Sequence, residues 1–314
     1  MNFVFTFPGQ GSQSVGMGQA LSEAFPSARA VFEEVDDALS QKLSALMWNG
    51  PIEDLTLTSN TQPALMACSL AAMAALKAEF DVDVTDARYV AGHSLGEYSA
   101  LCAAGSLSVA DTARLLRIRG DAMQRAVPVD AGAMAALLGA SVEDAEAAAK
   151  AGQAKGICQI ANDNATGQIV LSGEVAAVEL AAQTARDMGV KKAVILPVSA
   201  PFHCDMMAPA AAAMKDALMD TVFNAPSVAV VNNVRAAPIT DAQTLKDDLV
   251  TQVTGRVRWR ESIEWMAGEG VETFAEPGTG KVLTLMLKRI VKGLNGKALN
   301  SPESLEAFAA DIKG

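Results

Sequence analysis

The stretch Arg88-Tyr89-Val90-Ala91-Gly92-His93-Ser94-Leu95-Gly96-Glu97-Tyr98 decides the fold. Arg88 to Ala91 reads as a strand, Gly92 to Gly96 as a sharp turn, and Glu97 to Ala104 as a helix. The spacing Gly92-x-Ser94-x-Gly96 has a mechanical reason. A strand-to-helix turn tight enough to hold a side chain at its apex has no room for β-carbons on its flanks. Two glycines clear that space and leave the Ser94 hydroxyl exposed as a candidate nucleophile. The same turn aims the Leu95 amide and the positive end of the helix at the space above Ser94, where charge developing on an attacked carbonyl is stabilised. The five-residue pattern alone recurs by chance in Gly-rich chains; the strand before it and the helix after it give it weight.

Outward from this turn, Phe3 to Phe7 reads as a buried strand running into the tight loop Pro8-Gly9-Gln10-Gly11. Helical patterns cover about 17–39, 62–79 and 112–126. Further on, helices are expected at about 206–220, 241–253, 259–267 and 281–292, with strands at Val228 to Val231 and Val271 to Ala275. Strands alternating with helices predict a parallel sheet covered on both faces. Between about 131 and 198 the rhythm changes to strand (Met134 to Leu138), helix (from a Ser141 cap to about Ala151), strands at about 156–161 and 168–172, helix (174–188) and strand (192–197). Asn162-Asp163-Asn164-Ala165-Thr166-Gly167 reads as the turn between the middle strands. This β-α-β-β-α-β order is the split pattern of a ferredoxin-like unit inserted into a larger domain.

A length of 314 residues fits one large domain or two coupled ones. With 50% hydrophobic and 19% charged residues, disorder, collagen and coiled coil are excluded. A net charge of −11 argues against nucleic acid and against anionic membrane surfaces as partners. The start lacks a signal-peptide pattern, and the longest strongly apolar stretch, Pro63 to Leu76, is shorter than the roughly 20 residues of a membrane span. Four scattered cysteines (Cys68, Cys102, Cys158, Cys204) fit a reducing compartment, and two histidines without close Cys pairs argue against zinc. A soluble cytoplasmic protein without a metal is expected.

Serine needs a base. His93 directly precedes Ser94, so its side chain should point to the other side of the turn and serve structure. By elimination His203, in Pro201-Phe202-His203-Cys204, is the candidate base; the alternative is a buried histidine satisfied by backbone. Cys204 reads as a small buried hydrophobe. Arg119 lies on the apolar stripe Leu115, Leu116, Ala122, Met123 and Ala126. A buried guanidinium must meet a carboxylate or face a polar cavity, so Arg119 is either half of an internal salt bridge or a fork for the carboxylate of an anionic substrate. Two glycine motifs are set aside. Gly9-Gln10-Gly11-Ser12-Gln13-Ser14 lacks the last glycine of a dinucleotide fingerprint, and Gly278-Thr279-Gly280-Lys281 lacks the first glycine and the hydroxyl of a phosphate loop.

Taken together, Pro8-Gly9-Gln10-Gly11-Ser12, Gly92-His93-Ser94-Leu95-Gly96-Glu97-Tyr98, Ile118-Arg119-Gly120, Pro201-Phe202-His203 and Gly280-Lys281-Val282-Leu283 resemble, in order and over nearly the whole chain, the malonyl-CoA:acyl carrier protein transacylase family of type II fatty acid synthesis. The resemblance implies an α/β-hydrolase-like large domain with a parallel sheet, residues 1–128 and 199–314, interrupted by a ferredoxin-like subdomain, residues 129–198. It implies Ser94 as nucleophile, His203 as base, the amides of Gln10 and Leu95 as oxyanion hole, and Arg119 as the clamp on the malonyl carboxylate. Gln252 falls where the family has a glutamine whose backbone carbonyl orients the histidine. Phe202 falls where related acyltransferases set malonyl against methylmalonyl selection.

The expected partners are malonyl-CoA as substrate and a phosphopantetheinylated acyl carrier protein as acceptor, with no cofactor and a monomeric enzyme. Carrier proteins of the family are acidic, so a basic patch is expected near the entrance. Its candidates are Lys191 and Lys192, Lys288, Arg289 and Lys292, or Arg256, Arg258 and Arg260. A serine thioesterase or esterase of related fold, or a non-catalytic acyl-CoA-binding protein, are the alternatives. Acyl release to water would mark the first, and absence of a covalent adduct the second.

Overall fold

Every residue of strand β1 (Phe3–Phe7) is buried, and its side chains alternate between two cores. Phe3, Phe5 and Phe7 enter one apolar cluster and Val4 the other, as the period of two in a strand requires. The computed structural model describes residues 2–128, 130–198 and 200–313. Val129 and Ser199, where the sequence places the joints between the two domains, lie outside the described residues.

The fold is mixed α/β with two sheets. The first takes β1 and β2 (Tyr89–Gly92); the second takes β3 (Gly132–Leu138), β4 (Cys158–Ala165), β5 (Gln168–Glu174) and β6 (Lys192–Ile195). The chain then returns to the first sheet with β7 (Val230–Val231), β8 (Pro238–Ile239), β9 (Thr273–Pro277) and β10 (Asn295–Leu299). The first sheet runs β10-β9-β1-β2-β7-β8 and is parallel except for the β7–β8 pair. Helices cover both faces, as the sequence predicts. Thr58–Phe80 and Val109–Arg125 contribute to the phenylalanine side, and Trp259–Gly268 and Val282–Ile290 to the other. The second sheet is antiparallel in the order β4-β5-β3-β6. It carries its own apolar core under the helices Val142–Gly152 and Val175–Asp187, the first of which opens with a Ser141–Asp144 capping box.

Where the structure departs from the sequence expectation, the causes are local. The helix expected over 17–39 is two helices, Gln19–Ala24 and Pro26–Leu39. Phe25 between them is extended because a residue before proline avoids the helical region. The helix expected from 62 begins at Thr58 and runs to Phe80, making 23 residues, long and apolar enough to cross a membrane by length and composition. It is a core helix instead, with 72% of its apolar window buried inside the protein. Its start hid from the apolar pattern because Thr61 and Asn60 are buried and bonded to the carbonyls of Leu55 and Asp54.

Strand β4 continues through Asn162-Asp163-Asn164, the residues expected as a turn. The Asp163 and Asn164 side chains are satisfied from the other sheet's side of the molecule. Arg260 holds the buried Asp163 carboxylate at 2.8 Å, with further bonds at 3.1 Å, and Asn164 meets His93 at 2.7 Å. The backbone joins in, with Asp163 N–H donating to Val257 O and Val257 N–H to Ala161 O. Strands β8 and β10 and the final helix Pro302–Lys313 are not anticipated in the sequence; the last packs Phe308 edge-on against Phe3 at 5.5 Å.

Arg260 is the main charge partner of a carboxylate only 1% exposed, so removing it strands that charge. Arg260→Ala is expected to cost about 2–4 kcal/mol in urea unfolding, and adding Asp163→Asn to recover most of the loss. Additive losses in that double-mutant cycle would show that the pair does not join the two sheets energetically.

Candidate active site

The turn at Ser94 is as tight as its glycines require. A β-carbon on Gly92 would lie 1.9 Å from the Gly96 carbonyl, and one on Gly96 would lie 2.2 Å from Phe7 O. Ser94 has a φ of +55°, the left-handed region that costs a side-chain-bearing residue energy and is held only by its surroundings. Those surroundings are the His93 N–H bonded to Phe7 O at 3.0 Å and the Ser94 N–H bonded to Asn233 Oδ1 at 2.7 Å.

Ser94 Oγ lies 2.8 Å from His203 Nε2. His203 Nδ1 lies 2.9 Å from the Gln252 carbonyl oxygen. A carbonyl only accepts, so Nδ1 carries the hydrogen; in neutral His203, Nε2 is then free to accept the proton of Ser94. Burial, then the charge of Arg119, push the His203 pKa down to about 3, so the imidazole is neutral near pH 7. His93 turns the other way: its Nε2 meets Asn164 and its ring stacks edge-on to Trp259 at 5.6 Å. Cys204 is buried, with its thiol donating to Pro201 O.

Arg119 is 1% exposed on the apolar face of helix Val109–Arg125. Its guanidinium meets no carboxylate among the described residues at hydrogen-bond distance. Nη1 donates to Gln62 Oε1 at 2.9 Å, and Nη2 donates to Gln252 Oε1 at 2.9 Å and to Ser94 Oγ at 3.1 Å. Of the two alternatives the sequence left open, the internal salt bridge is absent among the described residues. Burial draws the Arg119 pKa down while Tyr98 and Glu97 pull it up, and an arginine remains charged under these conditions.

A cavity of about 460 Å³ opens over these groups and is lined by Gln10, Ser94, Leu95, Arg119, Phe202 and His203 among others. Every site residue expected from the sequence thus meets at one place except Gln252, which lies fully buried behind it. Neither the Gln10 nor the Leu95 amide donates to another described residue. Phe202 belongs to an apolar wall with Met134, Val170, Leu196 and Val198.

Sequence reasoning missed Gln62, Asn233, Glu97 and the side-chain role of Gln252. Gln62 left a faint signal as a polar residue at the head of an apolar helix; Asn233 left none. Of the basic candidates, Arg258 is engaged by Glu261, Arg260 by Asp163 and Glu264, and Arg256 lies near Glu261, so that cluster is spent internally. Arg289 bonds Gln168 Oε1 on the small sheet at 2.9 Å. Lys191, Lys192, Lys288 and Lys292 remain exposed. The Gly278–Lys281 loop is a packing turn, and the helix after it has its first amides taken by Glu276.

A serine at a glycine-flanked bend with a neutral imidazole on its oxygen is a nucleophile site that hydrolases and acyltransferases share, and of the two it is the acyl transferase domain family that matches, over residues 4–301. Over 310 residues the chain is 43% identical to the malonyl CoA-acyl carrier protein transacylase of Bacillus subtilis, covering 98% of this chain and 96% of that protein. The crystal structure of the acyl-carrier-protein-S-malonyltransferase from Bartonella henselae superimposes with a TM-score of 0.98 at 53% identity, covering both chains fully. A malonyl-transacylase solved in complex with its type II PKS acyl-carrier protein gives 0.95 at 40% identity, covering 99% of this chain and 100% of that one. The chain belongs to the malonyl CoA-acyl carrier protein transacylase family.

The depressed His203 pKa has a consequence for stability. Between pH 6.5 and about 3 the unfolded chain binds a proton at this residue and the folded one does not. Its contribution is therefore fully present above pH 6.5 and is lost as the pH falls toward 3, with a slope of at most about 1.4 kcal/mol per pH unit. His203→Gln is expected to lower the slope of unfolding free energy against pH between 6.5 and 4.5 in urea titrations relative to wild type; what remains sums His93, which burial lowers too, and Glu97, whose raised pKa acts with the opposite sign. An unchanged slope would show that His203 is protonated in the folded state.

Proposed function

We propose that this chain transfers the malonyl group of malonyl-CoA to the phosphopantetheine thiol of an acyl carrier protein, through a malonyl ester on Ser94, for fatty acid biosynthesis. The observation that carries this is one oxygen, Ser94 Oγ, lying 2.8 Å from a neutral imidazole and 3.1 Å from a buried guanidinium with no carboxylate of its own.

Ser94 Oγ attacks the thioester carbonyl while its proton passes to His203 Nε2. The imidazolium that forms keeps its Nδ1–H on Gln252 O, so a peptide carbonyl stands where a triad acid would be. The amides of Gln10 and Leu95, with the positive end of helix Gly96–Ala103, receive the oxyanion. The tetrahedral intermediate expels CoA, whose sulfur takes the proton from His203. A thiol of pKa about 8.5 leaves with little acid assistance. The carrier thiol then attacks the ester, gives its proton to His203, and Ser94 regains that proton as it departs. Arg119 holds the carboxylate of the malonyl group, and Phe202 with its apolar neighbours bounds the space beside the reacting carbon.

The finer fold assignment belongs to the same proposal. Residues 1–128 and 199–314 form an α/β-hydrolase-like domain and residues 129–198 a ferredoxin-like subdomain, supported by the separate antiparallel sheet and separate apolar core. All residues the mechanism uses come from one chain, so a monomer suffices, and a cytoplasmic location suits both substrates.

Arg119→Ala is expected to lower kcat/KM for malonyl-CoA by about 10²- to 10³-fold, the worth of a buried charge pair, and to lower acetyl transfer far less. Intact mass after mixing with each thioester, with Ser94→Ala as the control that gives no adduct, checks this; an unchanged malonyl preference would remove Arg119 from the clamp. For the carrier protein, Lys288 in helix Val282–Ile290 and Lys292 just after it stand exposed, and Val282, Leu283 and Met286 of the same helix line the cavity. Lys288→Glu with Lys292→Glu is expected to raise KM for the carrier protein several-fold at low salt and leave Ser94 loading intact. No change in carrier KM at low salt would exclude that face.

A further inference from the structure

Glu97 follows the glycine that closes the turn and lies in the first turn of helix Gly96–Ala103, fully buried. No step of the reaction above uses it. Its Oε2 accepts from the Asn233 backbone N–H at 2.9 Å and from Gln252 Nε2 at 3.0 Å. The same Gln252 nitrogen donates to Ser94 O at 3.0 Å. With the NH₂ end of that amide committed to these acceptors, its oxygen end has one direction left, and it meets Arg119 Nη2 at 2.9 Å. Flipping the amide would set N–H groups against a guanidinium N–H, and an oxygen against a carboxyl and a peptide oxygen, so both ends would lose their partners.

We propose that Glu97 is a positioning residue for malonyl recognition: acting through the side-chain amide of Gln252, it fixes the acceptor that Arg119 meets and so where the guanidinium stands relative to Ser94. This rests on the malonyl-transfer reading given above. The acid suits the task. Burial pushes its pKa up to about 7, so near neutrality it accepts from both donors without setting a full negative charge against Arg119. A permanent carboxylate there would offset the field that a malonyl carboxylate is meant to answer. Asn233 extends the arrangement, since its Oδ1 holds the Ser94 N–H and its Nδ2 the Gly92 carbonyl.

The test compares three variants with wild type. Glu97→Gln keeps an acceptor oxygen in place, Glu97→Met keeps the volume and removes the acceptor, and Glu97→Asp withdraws it by one methylene. Steady-state kcat and KM are measured with malonyl-CoA and with acetyl-CoA, alongside Ser94 loading by intact mass and thermal melting. A wild-type protein that takes no malonyl group onto Ser94 would overturn the functional reading itself, whatever the variants do. With wild-type loading established, Glu97→Met is expected to lose about 10²-fold in kcat/KM for malonyl-CoA, with KM raised as well as kcat lowered. Acetyl transfer and the Glu97→Gln variant should stay within about tenfold of wild type, the worth of one ordinary hydrogen bond. Malonyl and acetyl transfer falling together, or Glu97→Gln being as impaired as Glu97→Met, overturns the assignment. If Glu97→Met does not fold, Glu97→Asp carries the same comparison, and an unchanged malonyl-to-acetyl preference in it overturns the assignment equally.

Discussion

A full positive charge sits on a helix face otherwise packed with Leu115, Leu116 and Met123, and no carboxylate among the described residues bonds to it. Burying such a charge costs several kcal/mol, and each hydrogen bond it makes returns about 1.5–3 kcal/mol. Gln62, Gln252 and Ser94 supply the bonds, and two of these acceptors are neutral amides. Arg119 is therefore held in place without being neutralised. Its field contributes to keeping His203 neutral.

One of these residues, Gln252, bonds both the guanidinium and the imidazole. Gln252 lies in the last turn of helix Ala242–Thr254, where backbone carbonyls lack intrahelical partners, so its oxygen is free for the His203 Nδ1–H. Its side chain faces the other way, to Arg119, Ser94 O and Glu97. The end of that one helix thus contacts the base, the guanidinium and the bend at Ser94.

The parts legible in the sequence are those whose constraint is local or whose cost is conspicuous. The glycine-flanked bend is five residues long and its steric reason is self-contained, and in the structure a β-carbon at Gly92 or Gly96 would overlap backbone atoms. Arg119 was visible because a charge on an apolar stripe has few permitted fates. His203 followed from scarcity. What stayed hidden is satisfied at long range. Asn162-Asp163-Asn164 carries turn-forming residues, yet it is a strand because Arg260, nearly a hundred positions away, takes the carboxylate and His93 takes Asn164. Asn233 and Gln62 are ordinary polar residues in sequence, and only the meeting of four separate segments gives them partners. Polar side chains buried by tertiary pairing break the apolar periodicity on which element boundaries depend.

The same long-range bonds explain how the site combines a rigid nucleophile with a wall of separate origin. The bend, the base and the guanidinium all stand on segments packed around the parallel sheet, whereas Met134 and Val170 of the apolar wall stand on the antiparallel one. The two are joined at the His93–Asn164 and Arg260–Asp163 contacts, which reach the back of the bend and not its apex. The Met134 and Val170 side chains of the wall take no part in the hydrogen bonds to Ser94 Oγ. His93 and Asn164 stand differently, because their bond ties the antiparallel sheet to the residue beside Ser94. The Met134 and Val170 side chains are thus independent of the hydrogen bonds to Ser94 Oγ, and His93 is not independent of the bend.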